Sequence, residues 1–112
     1  MTRYGMLTGL KPEQVQTYKE LHAAVWPDVL KTIKECNIQN YSIYLKQTGH
    51  NQYFLFGYFE YTGDDYDADM AKMAADPTTQ AWWRLCKPCQ QPLELAAPGE
   101  WWTIMEEVFH QD

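Results

Sequence analysis

The chain is poor in basic residues, has no long apolar run, and carries too few cysteines for a disulfide framework. Nine Lys and Arg stand against fifteen Asp and Glu in 112 residues, giving a formal net charge of −6. An acidic chain without a basic cluster has no electrostatic footprint for nucleic acid or for an anionic membrane surface, so neither is expected as a partner. No apolar stretch approaches the roughly 20 residues of a membrane-spanning helix. The opening Met1-Thr2-Arg3-Tyr4 lacks the apolar segment of a secretory signal. The expectation is a soluble, cytoplasmic protein. Cys36, Cys86 and Cys89 are odd in number, which in an unsecreted chain argues for free thiols.

What the chain has in quantity is aromatic side chains. Five Trp, eight Tyr and four Phe bring the aromatic fraction to 15 %, within a hydrophobic fraction of 46 %. Such rings fill cores, but they also build sugar sites and interfaces, and composition does not choose among these uses. The length suits a single domain over residues 1–112, large enough to bury a core unaided by disulfide or metal.

Hydropathy periodicity and breakers predict the elements. Arg3 to Leu10 reads as a strand, bounded by Gly9 and Pro12. Val15, Tyr18, Leu21, His22, Val25 and Trp26 recur at helical spacing from Glu13 onward, and Pro27 predicts a kink or break before a second short helix to about Cys36. Asn37 to Asn40 reads as a turn. Tyr41 to Leu45 is aromatic and β-branched, hence a strand. A hairpin loop over 47–51 leads to a strand from Gln52 to Tyr61 that is apolar on both faces. An apolar stripe predicts a helix over 66–75. Asp76-Pro77 breaks it and opens another helix carrying Trp82, Leu85 and Cys86. After a Pro-rich connection, Ile104 to Phe109 reads as the last strand. Strand, helix, strand, strand, helix, strand is the ferredoxin-like split pattern, an α+β fold with helices on one face of an antiparallel sheet. The doubly apolar third strand predicts a cover over the second face, hence a homodimer whose two sheets form a shared barrel; a ligand cavity is the competing use of those aromatics.

Several groups of residues could carry chemistry. Tyr18, His22 and Trp26 are four apart and share a face of a continuous helix. An imidazole between a phenol and an indole suits proton transfer to a neutral polyol, since it can give and take a proton near neutral pH. A histidine satisfied within a sheet-packed helix explains the same spacing. Trp82-Trp83 differ by about 100° around a helix, so one ring can face the core and the other a pocket, where an indole suits the apolar face of a pyranose. Packing or a dimer contact explains that pair equally, and for Trp101-Trp102 interface or lid packing is the favoured use. Cys86-Lys87-Pro88-Cys89 has the C-x-x-C spacing of a redox dithiol or half a zinc site. It lies at a helix end, though, and no second pair completes a tetrahedral set, so no metal is expected. The acidic run Asp64-Asp65-Tyr66-Asp67-Ala68-Asp69 lacks the glycine and terminal glutamate of a calcium loop, and favourable charge at a helix start accounts for it. Glu106-Glu107 alternates on the last strand, where one carboxylate could meet a sugar hydroxyl.

Taken in order, Tyr18-x-x-x-His22-x-x-x-Trp26-Pro27, Asn40-Tyr41-Ser42-Ile43-Tyr44, Trp82-Trp83 and Glu106-Glu107-Val108-Phe109 resemble the pattern of the L-rhamnose mutarotase family over nearly the whole chain. The resemblance implies a dimeric α+β barrel in the cytoplasm that interconverts the α and β anomers of L-rhamnose without metal, nucleotide or other cofactor. It implies His22 as the catalytic acid/base and Tyr18, Tyr41, Trp82 and Trp83 as sugar-binding residues. Two segments depart from rhamnose-specific members: Gly49-His50-Asn51 and Pro98-Gly99-Glu100-Trp101-Trp102. L-fucose or another deoxyhexose is therefore the alternative substrate. The rivals from other classes are a non-catalytic sugar-binding domain and an oxygenase or redox protein on the same fold.

Overall fold

In the computed structural model, which describes residues 1–112, β1 (Thr2–Leu10) runs through the interior of an antiparallel sheet. On one side it pairs with β3 (Gln52–Tyr61), which in turn pairs with β2 (Ile38–Gly49) at the sheet edge. The other edge of β1 carries two short strands, β4 (Gln90–Gln91) beside Gly9 and Leu10, and β5 (Thr103–Met105) beside Gly5 to Leu7. The order β2-β3-β1-β4 is the ferredoxin-like order, with the place beside β1 shared by β4, which lies in the stretch expected to be an irregular connection, and β5.

One face of the sheet carries four helices: α1 (Val15–His22), α2 (Pro27–Glu35), α3 (Tyr66–Ala75) and α4 (Pro77–Cys86). Their limits follow from local chemistry. Pro27 and Pro77 open α2 and α4, where a missing N–H costs nothing. The carboxylates of Asp65 and Asp76 accept hydrogen bonds from the backbone N–H of Ala68 and Thr79, capping α3 and α4.

Three expectations are corrected. The first helix stops at His22, a turn before Trp26; the break expected at Pro27 is present, with Trp26 held extended at ψ 133°. The Asn37–Asn40 turn is a left-handed Asn37 (φ 65°) running straight into β2, where Asn40 (φ 49°) falls at a register shift, the signature of a bulge. The last strand is only Thr103–Met105, and residues 106–112 have no regular structure: the chain leaves the sheet at Glu106, and Glu107 reaches Arg3 at 2.8 Å.

The core lies between sheet and helices in two clusters. Leu10, Tyr18, Val29, Leu55, Trp82, Cys86 and Cys89 form one, and Met6, Cys36, Ile38, Phe59, Tyr61 and Met73 the other. Full burial of such aliphatic side chains contributes about 1.5–3 kcal/mol each. Ile33, Trp83 and Trp102 pack against both clusters. Gly57 makes room for that junction: a Cβ there would stand 2.8 Å from Met6 Cγ and 3.3 Å from the Trp102 ring. The opposite face of the sheet, with Leu7, Phe54, Phe56 and Tyr58 half-buried and Tyr44 66 % exposed, has no helix over it.

Candidate active site

Helix α1 sets Tyr18 and His22 one turn apart, and their rings stack with centroids 4.0 Å apart at 24°. The Nδ1 of His22 lies 2.9 Å from the Tyr18 carbonyl oxygen. A carbonyl only accepts, so Nδ1 carries the proton and Nε2 of the neutral ring keeps a free lone pair. Burial pulls the His22 pKa below its ordinary 6.5, and the bond to the Tyr18 carbonyl opposes that shift. Trp82 meets His22 edge-on at 5.3 Å and Trp26 at 5.2 Å. Trp26 has thus left the helix but still stands with His22 through Trp82.

Between the two core clusters lies a cavity of about 320 Å³, walled by Tyr18, Tyr41, Trp82 and Trp83 with mostly apolar neighbours. Burial lifts the Tyr18 phenol far above its ordinary value of 10, and its hydroxyl accepts a long bond (3.4 Å) from Gln90 Nε2 that opposes the shift. Tyr41 comes from edge strand β2, with its ring edge-on to Phe59 at 5.4 Å. Desolvation of its hydroxyl pushes its pKa to about 12. Both phenols are therefore protonated through the neutral range and available as hydrogen-bond donors. Trp82 is 5 % exposed and committed to the core, whereas Trp83 is half-buried and offers ring surface to the cavity.

Four of the five sequence-predicted residues thus share one cavity. His22 lies on an adjoining shallow concavity with Lys19, Ala23, Leu45 and Leu55, and Tyr18 and Ile43 border both spaces. Sequence reading missed Lys87 and Gln90 as cavity residues, and it assigned Trp101 and Trp102 to a lid or interface without placing them on the cavity wall, where all four stand. Lys87 was masked by the C-x-x-C around it, and buried Gln90 had no sequence signal at all. The Lys87 ammonium lies 5.3 Å from the Trp83 ring centre and 5.5 Å from that of Trp101.

The remaining motifs are structural. Cys86 and Cys89 are free and buried; burial pushes the Cys86 thiol to about 12 and raises Cys89 as well. High thiol pKa values oppose the thiolate that redox chemistry needs. No group of three His, Cys, Asp or Glu side chains converges, so the fold adds no third ligand to the pair. In the acidic run, Asp65 caps α3 and Asp69 accepts hydrogen bonds from Tyr61 and Asn37. Glu107 pairs with Arg3 away from the cavity, which corrects the expectation of a carboxylate on the sugar there.

The chain is a small ferredoxin-like isomerase acting on carbohydrates, a class that its family and its relatives define. The chain belongs to the L-rhamnose mutarotase family, whose profile matches residues 3–111. Among its relatives, the L-rhamnose mutarotase of Oceanobacillus iheyensis is 34 % identical, with all of both chains aligned. The L-fucose mutarotase of Xanthomonas campestris is 31 % identical over 85 % of this chain and 74 % of its own. The crystal structure of an L-rhamnose mutarotase from Formosa agariphila superposes over the whole of both chains with a TM-score of 0.74 at 23 % identity, a likeness of fold.

Proposed function

We propose that this chain is a cytoplasmic, single-domain mutarotase that interconverts the α and β anomers of L-rhamnose by opening and reclosing the pyranose ring. Opening requires a proton at the ring oxygen and loss of one from the anomeric hydroxyl; the open aldehyde rotates, and the steps reverse on its other face. The pair from the broken bond between C1 and the ring oxygen stays on the ring oxygen while the anomeric oxygen forms the aldehyde double bond; no carbon changes oxidation level, so the reaction calls for acid/base groups alone. His22 Nε2 takes and returns the proton, Tyr18 and Tyr41 donate hydrogen bonds to sugar oxygens, and Trp83 lies along the apolar face of the ring, backed by Trp82. The observation that carries this reading is the His22 hydrogen bond to the Tyr18 carbonyl, which leaves Nε2 free beside a cavity lined by protonated phenols. The working form is a homodimer that covers the aromatic second face of the sheet.

The test is magnetisation-exchange NMR between the α and β anomeric protons of L-rhamnose, with L-fucose alongside. Added protein speeds exchange of L-rhamnose, and His22→Ala loses about 10²–10⁴-fold of that rate with an unchanged circular dichroism spectrum. Acceleration of L-fucose alone would move the substrate to that sugar. Exchange at the buffer rate for both sugars with folded protein would overturn the reading and leave a binding domain.

A further inference from the structure

Lys87 is the one charged side chain on the wall of the cavity. It follows the last residue of α4, where a cation is favoured by the helix dipole. That accounts for a lysine in this turn of the chain, but not for where its ammonium goes. The head lies over two indoles, Trp83 from within α4 and Trp101 from the segment just before β5. No carboxylate pairs with it in the structure. Ring faces attract a cation without accepting its protons in directed hydrogen bonds, so an ammonium held this way keeps its N–H donors for another acceptor. Its position is also fixed from the far side: the Trp101 carbonyl accepts a 2.6 Å hydrogen bond from the buried Thr8 hydroxyl, which ties the connecting segment to β1.

We propose that Lys87 is a sugar-binding residue, whose ammonium donates to one of the ring hydroxyls at C2, C3 or C4 while Trp83 and Trp101 flank the sugar at that end. The proposal rests on the mutarotase reading and deepens it. His22 borders the adjoining concavity beyond Tyr18, whereas Lys87 lies among the indoles. The arrangement therefore puts the reacting anomeric carbon toward the imidazole and the non-reacting hydroxyls toward the ammonium. A bond made equally in the ground and transition states changes KM and leaves kcat alone.

The experiment compares wild type with Lys87→Met, of similar length and apolar, on L-rhamnose and its 2-, 3- and 4-deoxy analogues. Exchange NMR reads kcat and KM, and sugar-induced tryptophan fluorescence reads binding without turnover. Lys87→Met is expected to raise KM for L-rhamnose by about 10- to 100-fold, the worth of a charge-assisted hydrogen bond, with kcat within a small factor of wild type. One deoxy analogue should bind wild type that much more weakly and lose nothing further in Lys87→Met, because the pair of deletions removes one bond. Equal losses in Lys87→Met for L-rhamnose and all three analogues would overturn the proposal and leave Lys87 as a tie for Trp101. Binding without turnover in wild type would sink the mutarotase reading while the fluorescence comparison still judges Lys87.

Discussion

The Nδ1 proton of His22 is committed to the Tyr18 carbonyl, so the reactive nitrogen is Nε2, and its availability follows the protonation of the ring. Burial lowers that ring's pKa below 6.5. Accelerated exchange should therefore hold level as pH falls through 6.5 and decline only in more acidic buffer, where Nε2 becomes protonated. The check is the NMR exchange rate against pH, with the protein-free rate subtracted; half-loss at or above pH 6.5 would remove His22 as the titrating base. The same shift has a stability consequence. The unfolded chain binds the His22 proton more readily than the folded one, so this contribution is complete above pH 6.5 and is lost as pH falls below it. At this scale the sequence pattern was legible where spacing and chemistry coincide, as at Tyr18 and His22. It was silent where a role depends on distant neighbours: Gln90 meets Tyr18 across 72 positions, and Lys87 meets Trp101 only because the chain after β4 folds back over the cavity.

At the scale of elements, α4 matters most, since it carries Trp82, Trp83 and Cys86 to the cavity and leads into Lys87. Its start depends on Asp76, whose carboxylate accepts from both the backbone N–H (2.9 Å) and the hydroxyl (2.8 Å) of the buried Thr79. These bonds hold the Asp76 carboxyl below its usual range, the backbone bond first. Asp76→Ala should lower the thermal midpoint by about 4–8 °C at neutral pH, the effect of a lost N-cap in a domain of this size. The difference from wild type should shrink in acid. A depressed carboxylate pKa stabilises above its unfolded value, and that stability is lost as pH falls through the folded one. Melting curves at neutral and acidic pH decide it; an equal deficit at both would show that the cap acts through packing. Asp76-Pro77 and Pro27 were readable in advance because caps and prolines act locally. The last strand was not. Its residues have strand-like composition, yet only Thr103–Met105 pair with β1, at Gly5 to Leu7, while the same edge at Thr2 to Tyr4 has no strand beside it and Glu107 meets Arg3 through side chains alone.

The whole molecule presents two faces of one sheet, and only one is covered within the chain. Leu7 and Tyr44 flank Phe56 in register on the open face, beside Phe54 and Tyr58. Isolated apolar residues on a surface need no explanation, but a contiguous aromatic patch on a sheet calls for a cover. Two copies packed face to face would supply it, at the roughly 10 Å spacing of stacked sheets. Val108 and Phe109, 87 % and 78 % exposed in the unpaired tail, lie just beyond the strand that edges this face and would extend the contact. A carboxylate in the middle of such an interface would be buried without a partner, at a cost of several kcal/mol. Phe56→Asp should therefore separate the copies while leaving the helix-covered core untouched. Light scattering after size exclusion at micromolar concentration should give twice 13.2 kDa for the wild type and 13.2 kDa for the variant, with matching circular dichroism. Because the cavity lies on the other side of the sheet, within one chain, the folded monomeric variant should keep most of its anomer exchange. A monomeric wild type would mean that the aromatics of β3 face water and serve no assembly. A variant that is monomeric, folded and inactive would mean that the partner copy completes the site.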